Sequence, residues 1–483
     1  MKKKSLLVLA PVLAVSCNVK QPKELEQNKP NVLFIAVDDL KPMLGCYGDS
    51  LVQTPNIDRL AQSGVVFTNN HCQQAVCGPS RASLLTGKRP DFTKVYDLKT
   101  LIRDKNPQIT TLPQYFREQG YTTAATGKIF DVRSVDQYHD SLSWSVPYEL
   151  LEGSNPIGEG WVYSKKRIST EAPDVAESLT VDGKILLRGN QLLRNLAKQS
   201  SPFFLAVGFH KPHLPFVAPK KYWDLYDRND FQVHSFQKHA KGAPEFAYQP
   251  GWEIRRLYED IPNKERIPDA KQLELIHGYH ACVSFIDQQV GLLLKQLDDL
   301  GLRENTIVVL WGDHGWHLGD HDMWCKHTNY EQATRSPLIL SYGDKFKGRT
   351  SSPTEFVDVF PTICDLAGVE LSNILDGKSL VPLMTGNQKK VKEYSVSQFH
   401  RNGNLMGYAF RNERYRYIVW FRSNFKKDEV GPFDEDFVVA RELYDYQEDP
   451  LETRNLIDDH EYGDIRSKMK AQSEVFFRNQ LNQ

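Results

Sequence analysis

The chain has 483 residues, 40% of them apolar and 25% charged, which suits one large α/β domain with an appendage, or about three domains. Lys and Arg number 60 against 61 Asp and Glu, a formal net charge of −1, and this excludes nucleic acid as the main partner because phosphate binding needs concentrated positive charge. The same composition excludes a disordered chain, a collagen-like chain and a disulfide-dense mini-domain.

The first element is a targeting signal. Lys2, Lys3 and Lys4 precede an apolar run from Ser5 to Val15. A run of about eleven residues is too short to span a bilayer and fits the core of a secretory signal. It ends in Leu13-Ala14-Val15-Ser16-Cys17, which resembles a bacterial lipobox with Cys17 as the acylated residue. Residues 1–16 are therefore expected to be a signal peptide and 17–29 a polar tether. The expected location is exported and lipid-anchored, in the periplasm or at the surface of a Gram-negative cell. No later segment has 18 consecutive apolar residues, so no transmembrane helix is expected.

Several apolar runs then stop abruptly at ionisable residues. Val32 to Val37 is continuous, as a strand buried on both faces should be, and it ends at Asp38-Asp39. Thr111 reads as a helix N-cap and Gly120 as the stop. The weaker strand Tyr121 to Thr126 follows and ends at Gly127-Lys128. Phe203 to Phe209 ends at His210-Lys211-Pro212-His213. A long helix carries Ile276, Tyr279, Val283, Ile286, Val290, Leu293, Leu297 and Leu300 at spacings of three and four, closed by Gly301. Thr306 to Trp311 ends at Gly312-Asp313-His314. In open α/β sheets ligands bind beyond the carboxyl ends of the strands, so four strands deliver carboxylates, imidazoles and a lysine to one rim. After about residue 390 the texture changes to alternating and aromatic segments. Residues 30–390 are thus predicted as the catalytic domain, and 391–483 as a smaller α+β domain with an antiparallel sheet.

Residues 77–87 read Cys-Gly-Pro-Ser-Arg-Ala-Ser-Leu-Leu-Thr-Gly, and they resemble the type I sulfatase signature. Asp38-Asp39 and Asp313-His314 look like that family's two metal-ligand pairs, and Lys128, His210 and Lys326 match its sulfate-holding positions. Val357 to Thr362 and Asp449 to Glu452 also look like family motifs. The resemblance implies an alkaline-phosphatase/sulfatase-like mixed sheet sandwiched by helices. It also implies one Ca²⁺ held by Asp38, Asp39, Cys77, Asp313 and His314, and Cys77 oxidised to formylglycine by a maturation enzyme. Hard oxygen ligands suit calcium. In the implied reaction one hydroxyl of hydrated formylglycine, activated by Asp313 and the metal, attacks sulfur. Arg81, Lys128 and Lys326 offset the sulfuryl charge, His210 protonates the leaving sugar oxygen, and the second hydroxyl expels sulfate. Where the family has a histidine after Gly127-Lys128-Ile129-Phe130, this chain has Asp131, a candidate to take over its base role.

Gln73 to Cys77, Thr86 to Asp91, Leu112 to Phe116, Gly208 to His213, Asp313 to Trp316, Met406 to Tyr408 and Arg414 to Tyr417 resemble iduronate-2-sulfatases more narrowly. This implies removal of a 2-O-sulfate from a non-reducing-end uronic acid, iduronate or its Δ4,5-unsaturated form, in heparin, heparan sulfate or chondroitin-type oligosaccharides. Lys211, His213 and Trp316 are candidates for the sugar wall, with His317, Lys88 and Arg89 beside them. Cys325 is expected to be a buried filler or half of a disulfide. Three alternatives stay open: a sulfatase acting on 6-O-sulfated hexosamine, a phosphatase or phosphodiesterase, and a glycan-binding lipoprotein on a sulfatase fold that does no chemistry.

Overall fold

In the computed structural model residues 29–149, 167–371, 374–425 and 433–480 are described; the leader motif with Cys17 lies outside them. The main sheet contains β1 (Asn31–Val37), β2 (Val65–Phe67), β3 (Thr122–Gly127), β4 (Phe203–Phe209), β5 (Thr306–Gly312), β6 (Leu338–Tyr342) and β7 (Gly348–Thr350). Their order across the sheet is β7-β2-β6-β5-β1-β4-β3. Only β6 runs against its neighbours, so the sheet is mixed.

The continuous apolar runs have a direct cause. On β1, Leu33, Ile35 and Val37 enter one core while Val32, Phe34 and Ala36 enter the other. A strand with two cores and no solvent face has no polar alternate positions. Helices α1 (Pro55–Gln62), α4 (Val181–Leu196) and α5 (Asp269–Asp299) cover the first core. Helices α2 (Cys77–Thr86), α3 (Leu112–Glu118) and α6 (Val359–Ala367) cover the second. Thr111 caps α3 by accepting from the Gln114 N–H at 3.3 Å, and Gly301 follows α5 with φ +68.

The sheet registers level the reactive ends. Val37 pairs with both Phe209 and Gly312, so β1, β4 and β5 finish side by side. At the β3–β4 junction Gly127 sits at φ +72, and a Cβ there would come within 2.0 Å of the Gly208 carbonyl oxygen. Glycine at both positions lets the strand ends touch, with Lys128 and His210 following at the rim.

The second domain has β8 (Ser395–Arg401), β9 (Leu405–Arg411), β10 (Tyr415–Arg422) and β11 (Val438–Asp445) in chain order, all antiparallel. Tyr408, Phe410 and Phe421 pack against Phe476 and Phe477 of α7 (Gly463–Gln480). The opposite face, with Ala409, Ile418, Trp420 and Tyr444, packs on Tyr248, Met323 and Tyr330 of the large domain. Strand β8 is also tied to the segment before Cys77. The Gln398 N–H donates to the Gln73 carbonyl at 2.7 Å, and the Ser397 hydroxyl donates to the Cys72 carbonyl at 2.6 Å. Among the described residues no helix is long and apolar enough to cross a membrane.

Candidate active site

Cys77 is buried at the first residue of α2, preceded by extended Val76 (φ −160°, ψ 142°). A group at a helix N-terminus faces the positive end of the peptide dipoles. Its Sγ lies 3.5 Å from His314 Nε2 and 3.9 Å from Asp39 Oδ1. Burial pushes the thiol well above its ordinary pKa. One turn on, Arg81 is wholly buried. It donates from Nη2 to Asp38 and from Nε to Asp313, both at 2.9 Å, and from Nη1 to the Ile129 carbonyl at 3.0 Å. Arg81 thus fixes the carboxylates that follow β1 and β5. The Asp39 N–H donates to Asp313 Oδ1 at 2.9 Å, and Tyr279 of α5 donates to the Asp39 carbonyl at 2.7 Å. Asp39 itself takes a left-handed turn, φ +58.

Two lysines flank this nest. Lys128 Nζ is 2.7 Å from Asp38 Oδ2. Lys326 Nζ is 2.9 Å from Asp39 Oδ1 and 3.1 Å from Glu253. Burial opposes ionisation of Asp38, but Lys128 and Arg81 hold its carboxyl well below the usual range. Asp39 moves the other way, because burial and the neighbouring Asp38 and Asp313 outweigh Lys326.

The donor set fits a divalent metal. His314 Nδ1 lies 2.9 Å from the Gly315 carbonyl, which can only accept, so that nitrogen carries the proton. The other nitrogen, Nε2, faces Asp39 Oδ1, 3.3 Å away, and Asp313 Oδ1, 3.7 Å away. Acceptors converging this closely repel one another unless a cation lies between them. Ligand atoms of Asp39, Cys77, Asp313 and His314 all lie within 4.8 Å of one another, and an overlapping group adds Asp38 and His213. A carbonyl that holds one ring nitrogen in this way orients the imidazole so that the other nitrogen can bind a metal.

A family model for sulfatases matches residues 30–369. The chain belongs to the sulfatase family. A second model, the C-terminal part of N-sulphoglucosamine sulphohydrolase, matches residues 319–478. This sulfatase is 35% identical to iduronate 2-sulfatase from Homo sapiens, over 96% of its own chain and 98% of that one. It is 32% identical to a sulfatase from Formosa agariphila, over 98% and 91%. A solved 2-O GAG sulfatase shares the fold with a TM-score of 0.67 at 24% identity, covering 94% of this chain and 92% of that one.

The sulfatase places its other expected site residues in three ways. Cys77, Arg81, Asp38, Asp39, Asp313, His314, Lys128 and Lys326 meet in one cluster, with Arg81 behind the carboxylates instead of open to a ligand. His210 follows β4 with its backbone N–H on Asp182 Oδ1 at 2.6 Å. Burial, with Lys128 and Lys211 nearby, pulls its imidazole down to about 3, against the attraction of Asp38. His213 lies at the edge of the candidate metal group, 3.7 Å from Asp39 and 3.3 Å from Glu253.

Other expectations are corrected. Lys211 Nζ is buried and donates to the carbonyls of His213 and Pro215, both at 2.8 Å, so it secures its own loop. Trp316 has no exposed surface; it packs on Phe216 and lies under the Lys326 ammonium, 4.8 Å from the ring centre. His317 is buried on Asp320 and Thr328, while Lys88 and Arg89 pair with Asp376 and Glu355. Cys325 is the buried filler expected of it, and it is free of any disulfide among the described residues. Asp131 is gripped by Arg133 and lies 3.7 Å from Lys128. Burial opposes its ionisation, but the Arg133 hydrogen bonds and Lys128 hold it well below the usual carboxylate range, and so weak a base is a poor proton acceptor. Sequence reasoning missed Glu253, Tyr279 and Arg133 as partners of the site. Glu253 lies in a short helix, Trp252–Leu257, that carries no motif. Tyr279 reads as one more apolar position of α5.

Proposed function

We propose that this sulfatase removes the 2-O-sulfate from a non-reducing-end uronic acid, iduronate or Δ4,5-unsaturated uronate, of heparin, heparan sulfate or chondroitin-type oligosaccharides. The observation that carries the reading is the end-to-end similarity to iduronate 2-sulfatase, 35% over nearly the whole of both chains.

Residue 77 as formylglycine, formed by a maturation enzyme, would supply an oxygen nucleophile, and Asp38, Asp39, Asp313, His314 and residue 77 would hold a Ca²⁺ whose chemistry is Lewis-acid stabilisation. Lys128 and Lys326 receive the sulfate oxygens, exchanging part of their pairing with Asp38 and Asp39 for the ester's charge. Arg81 holds Asp38 and Asp313 in register and keeps their orientation fixed during the reaction. His210, neutral in the free site, takes a proton from solvent as the sulfate's negative charge offsets Lys128, and its ring N–H then gives that proton to the leaving sugar oxygen, returning the imidazole to neutral. Asp131 serves as the counter-charge of Lys128 and Arg133. The lipobox-like Leu13 to Cys17 supports export with a lipid anchor on Cys17.

The deciding experiment measures sulfate release from an unsaturated 2-O-sulfated uronate–glucosamine disaccharide and from 6-O-sulfated glucosamine, using protein co-expressed with a formylglycine-generating enzyme. Rapid release from the first alone is expected. Release only from the second would favour an amino-sugar sulfatase, the reading consistent with the second family match over residues 319–478. Cys77→Ala should abolish release; a non-catalytic binder would keep its ligand affinity and show no wild-type turnover.

A further inference from the structure

Beside the sulfate-holding Lys326 lies a group of basic side chains that the reaction above does not use. Cys325 and His327 both occupy left-handed backbone, φ +73 and +78. Two non-glycine residues in that region, on either side of Lys326, make a tight turn that its surroundings must hold. The His327 N–H donates to the Ala75 carbonyl at 3.1 Å, two residues before the nucleophile. Its ring lies 5.9 Å from Phe399 of β8, and its buried Nδ1 has no hydrogen-bond partner. The strongest charges around this ring are Lys326, His314, Arg401 and His400, with no carboxylate among them.

Arg401, at the end of β8, adds to the imbalance. It is nearly buried, and it gives its N–H groups to the carbonyls of Phe246, Ala247 and His400. Among the described residues it forms no ion pair. Its guanidinium lies over Phe399, 5.0 Å from the ring centre. The acid that acts on it, Glu442, makes no ion pair with it and is taken up by Tyr330, Trp420 and Tyr444, so the buried charge is incompletely offset and favours a further anion. The unpartnered imidazole and the unpaired guanidinium come from different domains and meet beside Lys326.

We propose that His327, backed by the charge of Arg401, forms a second anion subsite that binds another negatively charged group of the same substrate. The inference rests on the uronate reading, in which the sulfated ring carries a carboxylate and the adjoining glucosamine can carry an N-sulfate. His327 would contact that group by donating from its ring, and Arg401 would act through its field as a positioning residue.

The test uses full-length protein with residue 77 oxidised, as wild type, His327→Ala and His327→Asn, the last because asparagine tolerates left-handed backbone. Steady-state kinetics are compared on the N-sulfated and N-acetylated 2-O-sulfated uronate disaccharides and on 4-nitrophenyl sulfate, which bears no second anion. Thermal melting checks the fold of each variant. The expected result is a fall of about tenfold in the ratio of kcat/KM for uronate over aryl sulfate in His327→Ala, carried by KM, with a smaller fall in His327→Asn. Equal losses on the two disaccharides identify the carboxylate as the anion; a loss confined to the N-sulfated one identifies the sulfamate. An unchanged ratio, or an equal rise of KM on all three substrates, overturns the subsite while leaving the uronate reading intact. A wild type that ignores both disaccharides but hydrolyses 6-O-sulfated glucosamine overturns the uronate reading and this subsite with it.

Discussion

Arg133 grips Asp131 through two parallel hydrogen bonds of 2.9 Å, from Nε to Oδ1 and from Nη2 to Oδ2. The same carboxylate faces Lys128 at 3.7 Å, so Asp131 stands here as a fixed negative charge. Asp131→Asn removes that charge and weakens the fork. A drop of about tenfold in kcat/KM is expected on every sulfate ester, corresponding to ~1.4 kcal/mol. The shape of the pH–rate profile should not change. Loss of one limb of the profile would instead show that Asp131 moves a proton.

Arg81 spans Asp38 and Asp313 from within the core. Arg81→Ala takes the shared guanidinium from two buried carboxylates and leaves Asp313 with no ion pair to Arg or Lys among the described residues, which costs about 3–5 kcal/mol by analogy with other buried pairs. Arg81→Lys keeps a charge but cannot reach both acids and a carbonyl at once. Urea midpoints should fall strongly for the first variant and less for the second, with sulfate release lost in both.

The convergence of Asp38, Asp39 and Asp313 on His314 and residue 77 would make a bound divalent metal part of the protein's stability. Chelation should abolish turnover and lower the melting temperature. Calcium at about a hundred times its Kd should restore about 2.7 kcal/mol of stability. Full recovery with Zn²⁺ and none with Ca²⁺ would contradict the oxygen-rich ligand assignment.

A pH effect on stability is expected away from the site. His139 is buried against Tyr148, ring centres 3.9 Å apart, and its Nδ1 has no partner. Burial lowers its pKa from 6.5 to about 4. Between those two values the unfolded chain binds a proton that the folded chain refuses. Stability contributed by this group is therefore complete above the unfolded value and falls as pH drops through the window, by up to ~1.4 kcal/mol per pH unit. Thermal melts from pH 7 to pH 4 should show a shallower slope for His139→Asn than for wild type, whatever the variant's absolute stability.

Much of this rim could be read in the chain because burial on both faces of β1, β4 and β5 leaves a signal that ends where chemistry begins. Asp38, His210 and Asp313 stand just beyond runs with no polar interruption. The Cys77 to Gly87 segment announces itself by its composition. Trp316 and Lys211 were misplaced for the opposite reason. Each stands within two residues of a reactive histidine, but their side chains enter packed or carbonyl-lined surroundings that no local pattern records. Glu253, Arg401 and His327 carry no motif. Their positions depend on a loop, a domain contact and a left-handed turn, all products of tertiary structure.

The bracing of Cys72 and Gln73 by β8 has a consequence for how the enzyme comes into being. Every residue assigned to the reaction has been synthesised by residue 326, yet the strand that supports the approach to the nucleophile begins at Ser395. Without it the carbonyls of Cys72 and Gln73 lose their donors at a buried position, an arrangement proteins seldom tolerate. A chain cut short before β8, or clipped there later by a protease, would hold the complete set of reactive groups and remain inert. Competence thus arrives late, when the far end of the polypeptide folds back onto a segment made long before it.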